Sequence, residues 1–194
     1  MVNMTCRYVL SSIFVYFLEL NMFAPLLRIS FTVFALYGFF GSSNAFSADD
    51  AIKAPEFRLE GQNKQIDLKN YRGKIVYLDF WASWCQPCRK SFGWMNEMQE
   101  TYGEEGFSVI AINLDESRDQ ANKFLKQIPA NFDVAFDPKG NTAESYQVKA
   151  MPSSYIIDKK GNVIYANKGF RANDEEKLEA KIRNIIRQST VASR

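Results

Sequence analysis

Trp84-Cys85-Gln86-Pro87-Cys88-Arg89 holds the residues of this chain best suited to chemistry. Two cysteines stand two residues apart, with a proline between them and a tryptophan in front. An apolar run, Ile75 to Ala82, leads into them and reads as a strand. Strand, cysteine pair and helix in that order bring both sulfurs to a helix N-terminus. Unpaired N–H groups and the helix dipole there favour a thiolate, and a disulfide can open and close. A zinc site needs four ligands, and no second Cys or His pair is present. A structural staple is equally poor, because the pair closes almost no loop. Redox chemistry remains, with no metal and no cofactor expected.

Composition narrows the choice further. The 194 residues carry a net charge of +2 and no histidine. That balance gives no basic surface for nucleic acid. The missing histidine excludes a Ser-His-Asp or Cys-His pair and a C-x-x-C-H haem attachment. A Thr-x-x-Cys peroxidatic loop is also missing.

The first 45 residues read as a leader. The apolar run Ile29 to Phe40 follows Arg28 and precedes Gly41-Ser42-Ser43-Asn44-Ala45. A basic flank, a short apolar core and a small-residue exit are the parts of a secretory signal peptide, with cleavage expected after Ala45. The run is shorter than the roughly 20 residues of a membrane span. A second apolar patch, Val9 to Leu20, carries Glu19, and a start at Met22 would give a compact leader. The rival reading is an uncleaved anchor or a two-segment hairpin in the membrane. Cys6 lies in the leader, so the exported part holds only Cys85 and Cys88. Residues 46–54 read as a tether and 55–190 as one domain.

The elements that must position the pair follow from periodicity. Phe57-Arg58-Leu59 and Gln65-Ile66-Asp67-Leu68 flank the turn Gly61 to Lys64 as a hairpin. Ile75 to Ala82 and Phe107 to Leu114 are near-continuous apolar strands, as in a sheet covered on both faces. A helix from Pro87 or Cys88 to about Tyr102 places Trp94, Met98 and Tyr102 on one face. Ser117 to Gln120 is a capping-box pattern for a helix that Pro129 stops. Phe132 to Asp137 alternates as a strand, and Asn141 to Glu144 is a second capping box, for a helix to about Gln147. Strands Ser154 to Ile157 and Val163 to Ala166 follow, and a last helix starts near Asn173 with Leu178, Ile182, Ile185 and Ile186 as its buried stripe. The expected class is α/β, a mixed sheet flanked by helices.

Asp79 to Lys90, with its Trp-Cys-x-Pro-Cys core, resembles the active-site segment of the thioredoxin superfamily. The leader, the N-terminal hairpin and the extra strand and helix between about 117 and 148 resemble the TlpA-type thiol–disulfide oxidoreductases. The likeness covers roughly residues 54 to 188. It implies a thioredoxin-like fold with an N-terminal hairpin and a central strand-helix insertion. It implies that Cys85, at the exposed start of the helix, is the nucleophile and that Cys88, one turn inside, resolves the mixed disulfide. Pro87 suits the first helical turn. Asp79, an acid in an apolar strand, matches the residue that handles the resolving cysteine's proton. Its bland alternative is a solvated strand position. Met151-Pro152 matches a cis-proline loop that offers the Met151 backbone to an extended substrate. Trp84, Gln86 and Pro87 complete the substrate surface, while Trp81 is expected to pack. Gly93 stands where relatives carry a helix-kinking proline.

The expected function is an exported, periplasmic thiol–disulfide oxidoreductase that reduces protein disulfides. A disulfide-forming oxidant and a non-catalytic binding module of the same fold are the alternatives. The implied partners are a disulfide-bearing protein and a membrane thiol carrier as electron donor. The membrane itself is met only through the leader, if it stays uncleaved and tethers the chain to the inner membrane.

Overall fold

A computed structural model describes residues 51–171 and 173–191. The leader, its cleavage point and the alternative start at Met22 lie outside the described residues. Seven strands form one mixed sheet: β1 (Arg58–Gly61), β2 (Gln65–Asp67), β3 (Ile75–Trp81), β4 (Phe107–Asn113), β5 (Asp133–Phe136), β6 (Ser153–Ile157) and β7 (Val163–Lys168). Their order across the sheet is β2-β1-β5-β4-β3-β6-β7. The helices are α1 (Gln86–Tyr102), α2 (Arg118–Gln127), α3 (Asn141–Ser145) and α4 (Asp174–Val191).

β3 and β4 lie at the centre because both of their faces are apolar. Every residue of each is buried. They run parallel, from Ile75 opposite Phe107 to Trp81 opposite Asn113. Alternation divides β3 between two cores. Ile75, Tyr77 and Trp81 pack with Phe92, Trp94, Met95 and Met98 of α1, Phe124 of α2 and Leu178, Ile182 and Ile186 of α4. Val76, Leu78 and Phe80 pack with Tyr71, Ala143 and Tyr146 on the opposite face. The stripes expected on α1 and α4 are therefore the buried ones, with Ile185 half-buried beside them.

The hairpin expected at the start is β1–β2, with Arg58 opposite Asp67. It joins the sheet through β5, antiparallel, with Glu60 opposite Phe136. Gly61 closes that turn because a Cβ there would overlap the Lys64 carbonyl. The α2 and β5 segment is the central insertion. The fold class is thus as the sequence implies: a thioredoxin-like mixed sheet flanked by helices.

Three local expectations are corrected. The stretch expected as a tether is docked over residues 52–54. The Ala54 N–H donates to the Gly161 carbonyl at 3.0 Å and the Val163 N–H to the Ile52 carbonyl at 2.8 Å, which pins it to the β6–β7 turn. Ala54 is buried there; backbone pairing with a turn leaves no compositional mark. Ser117 is the N-cap of α2, but its side chain makes no capping bond. At α3 the cap is supplied from upstream: the Asp137 carboxylate accepts from the N–H groups of Thr142 and Ala143 at 2.8 and 3.2 Å, and Gly140 takes the cap position that Asn141 was expected to hold.

Candidate active site

β3 ends at Trp81, and a short loop turns the chain into α1 at Gln86. The Cys85 N–H donates to the Ala82 carbonyl at 3.0 Å, and the Cys88 N–H to the Cys85 carbonyl at 3.1 Å. Cys85 takes the N-cap position of α1 in extended geometry, and Pro87 lies in the first turn, where its missing N–H leaves no gap in the helix ladder. Cys85 and Cys88 form a disulfide with an S–S distance of 2.05 Å. No side chain caps this helix end and no acid stands in its first turn. Its N–H groups and dipole are therefore directed at the sulfurs, where they stabilise negative charge.

One expectation about the pair is corrected. Cys85 is not exposed in the disulfide form: it is 4% exposed, against 0% for Cys88. The order of accessibility is the expected one, with Cys88 the more enclosed. The exposed feature is its neighbour Trp84, at 70%. Gln86 and Pro87 are exposed on the other side of Cys85. Trp81 is fully buried, against Phe92 and Phe124 at centroid distances of 4.7 Å each, so it packs as expected. Arg89 donates to Gln127 Oε1 at 3.0 Å and lies over the Phe124 ring.

The Met151–Pro152 bond is cis. Register brings it to the disulfide's end of the sheet, since Ser153, the next residue, is paired with Phe80 near the end of β3. The loop is fixed by Ser153 Oγ donating to the Ala150 carbonyl at 2.7 Å and the Gly169 N–H to the Pro152 carbonyl at 2.8 Å. The Met151 backbone groups make no hydrogen bond within the described residues. They are available to a strand-like partner.

Asp79 is 1% exposed, which removes the solvated reading. It shares the β3 face of Tyr77 and Trp81, the face whose core includes Cys88. Its Oδ2 has no hydrogen-bond partner. Burial without compensation holds its carboxyl well above the usual carboxylate range. The Tyr77 hydroxyl, also buried, is raised as well, first by burial and then by the Asp79 charge.

Sequence reasoning missed a second acid. Asp115, just past β4, is buried and accepts hydrogen bonds from Ser83 in the β3–α1 loop and from Asn113. The only signal was an acid pair, Asp115-Glu116, directly after an apolar strand, and such a pair reads by default as solvated. Among the described residues no cluster of His, Cys, Asp and Glu could hold a metal ion.

The profile of the AhpC/TSA family matches residues 51–166. The chain is 40% identical over 136 residues to the thiol-disulfide oxidoreductase ResA of Bacillus thuringiensis subsp. konkukian, covering 69% of this chain and 76% of that protein. Against ResA of Bacillus anthracis the identity is 36% over 156 residues, covering 78% and 87%. A Chlorobium tepidum crystal structure, assigned as thiol:disulfide interchange protein DsbE, superposes with a TM-score of 0.69 at 51% identity, covering 70% of this chain and 96% of that one.

Proposed function

The chain belongs to the AhpC/TSA family, and from that premise we propose that it is an exported thiol–disulfide oxidoreductase that reduces protein disulfides. The observation that carries the reading is the Cys85–Cys88 disulfide at the uncapped N-terminus of α1. In the reduced protein, the Cys85 thiolate attacks one sulfur of a substrate disulfide. A Cys85–substrate disulfide forms and one substrate thiolate leaves. The Cys88 thiol then loses its proton and attacks the Cys85 sulfur. The Cys85–Cys88 disulfide forms and the second substrate thiolate leaves, so two electrons pass to the substrate.

Asp79 is proposed to take the Cys88 proton. Its burial makes its carboxylate form a strong base, and it lies on the face of β3 that packs with Cys88. Trp84, Gln86, Pro87 and the Met151-Pro152 loop are proposed to bind an extended protein segment. Trp84 is exposed beside the pair, and the Met151 backbone groups make no hydrogen bond among the described residues. Reduction of the pair for the next cycle needs a dithiol donor, proposed to be a membrane thiol carrier on the exported side, the periplasm.

A Cys88→Ser protein tests the reading. It should accumulate mixed disulfides with client proteins through Cys85, and these should vanish in the Cys85→Ser form. A binding module would hold its partners without a reducible bond, and that result would sink the proposal.

A further inference from the structure

Ser83, Asn113 and Asp115 form a hydrogen-bonded network at the loop that leads to the dithiol, with Asn113 and Asp115 buried and Ser83 half-buried. Asn113 ends β4, Asp115 follows two residues later, and Ser83 precedes Cys85 by two residues. The Ser83 N–H is 3.1 Å from both Asp115 carboxylate oxygens. Ser83 Oγ donates to Oδ1 at 3.1 Å, and Asn113 Nδ2 donates to Oδ2 at 2.9 Å. The Asp115 N–H in turn donates to Asn113 Oδ1 at 3.1 Å, fixing which way the amide points. Every partner of the carboxylate oxygens is a donor.

That charge is not cancelled by a cation. Among the described residues no Lys or Arg lies within ion-pair distance of Asp115. Outward, Asp115 lines a cleft with Arg58, Glu60, Glu116 and Arg118. Arg118 is engaged by Glu60, the Gly61 carbonyl and the Phe136 ring, and Arg58 donates to Gln65. Toward the dithiol, Arg89 is engaged by Gln127, Lys90 points to solvent and Asp79 favours its neutral form. A fixed negative charge is thus fastened to the loop that delivers Cys85.

We propose that Asp115 is a positioning residue that holds this loop and makes the dithiol a stronger reductant. The inference deepens the oxidoreductase reading and rests on it. The carboxylate is 3.1 Å from the Ser83 nitrogen, and two residues of chain span at most about 7 Å more, so the charge lies within about 10 Å of the Cys85 backbone, about one screening length at 0.1 M salt. The disulfide is neutral and indifferent to it. Reduction takes up two electrons and yields a Cys85 thiolate, which the carboxylate disfavours. A less stable reduced form passes its electrons on more readily.

The test equilibrates the full chain with reduced and oxidised glutathione and reads the oxidised fraction by thiol alkylation. Cys85 is titrated in parallel by thiolate absorbance. Asp115→Asn should shift the equilibrium about tenfold toward the dithiol, about 30 mV less negative, with the thiolate forming at lower pH. Ser83→Ala removes a donor that disperses the carboxylate's charge and should shift it the opposite way, about threefold, the scale of one hydrogen bond. Melting of the oxidised forms checks that both fold, and if Asp115→Asn does not, Ser83→Ala decides alone. Potentials and titrations equal to wild type overturn the inference and leave the oxidoreductase reading intact. A wild-type pair that does not exchange with glutathione overturns that reading, and the inference with it.

Discussion

Replacing Asp79 by asparagine should change how stability depends on pH, and the sign follows from burial. The carboxyl is fully enclosed, its Oδ2 has no partner, and its pKa is raised by desolvation. In the unfolded chain an aspartate titrates near 3.9. Below that value both states hold the proton and the stabilising neutral form is fully present. Above it the unfolded chain releases the proton while the folded protein keeps it. Stability therefore falls by about 1.4 kcal/mol per pH unit until the raised folded value is reached. The asparagine amide has the same shape and no proton to lose. The stability difference between variant and wild type should widen by about 1.4 kcal/mol with each unit above pH 5, then level off. Urea unfolding of the oxidised proteins at unit pH intervals measures this, because the disulfide does not titrate and the raised Tyr77 stays neutral. A difference that does not vary with pH would refute the reasoning. In turnover, the same variant should release substrate from the Cys85 mixed disulfide more slowly, because the proposed acceptor of the Cys88 proton is gone.

Three further outcomes are expected. Trp84→Ala, at a 70% exposed position, should change stability by less than about 0.5 kcal/mol yet raise KM for a protein disulfide about tenfold; an unchanged KM removes Trp84 from the substrate surface. Gly93→Ala should stabilise the protein by about 1 kcal/mol in denaturant unfolding, since Gly93 is an exposed interior residue of α1 and a Cβ there meets nothing within 4 Å. The exported protein should begin at Phe46 by N-terminal sequencing, and an intact Met1 or Met22 would instead mean an uncleaved anchor.

The central architecture was legible because its signals are local. β3 and β4 are apolar on both faces, and such runs have few other places to go. The dithiol was legible for the same reason: its residues are adjacent in the chain. What escaped depends on pairing across the fold. The docking of Ile52 to Ala54 uses backbone groups, which every sequence has. Asp137 caps α3 from four residues before it, outside the spacing of a capping box. Asp115 meets Ser83 across a separation of 32 residues, and only the parallel register of β3 and β4 brings them together.

The two buried acids divide the electrostatic work of the proposed reaction. Asp79 is enclosed with its Oδ2 unpartnered, so it favours the proton and suits a group that stores and releases one. Asp115 is enclosed with donors on both oxygens, which suits a standing charge. Cys85 lies between opposed fields. The N-terminus of α1 draws it toward thiolate, and on the proposed reading Asp115 resists. A thiol pulled far toward thiolate would be a weak nucleophile and part of an oxidising pair, because nucleophilicity falls with pKa and the reduced form gains stability. A thiol left alone would be mostly protonated at neutral pH. On the proposed reading the opposition holds Cys85 between these extremes, and that is what a dithiol working as a reductant needs. Without histidine anywhere in the chain, that balance falls to the helix end and the buried acids.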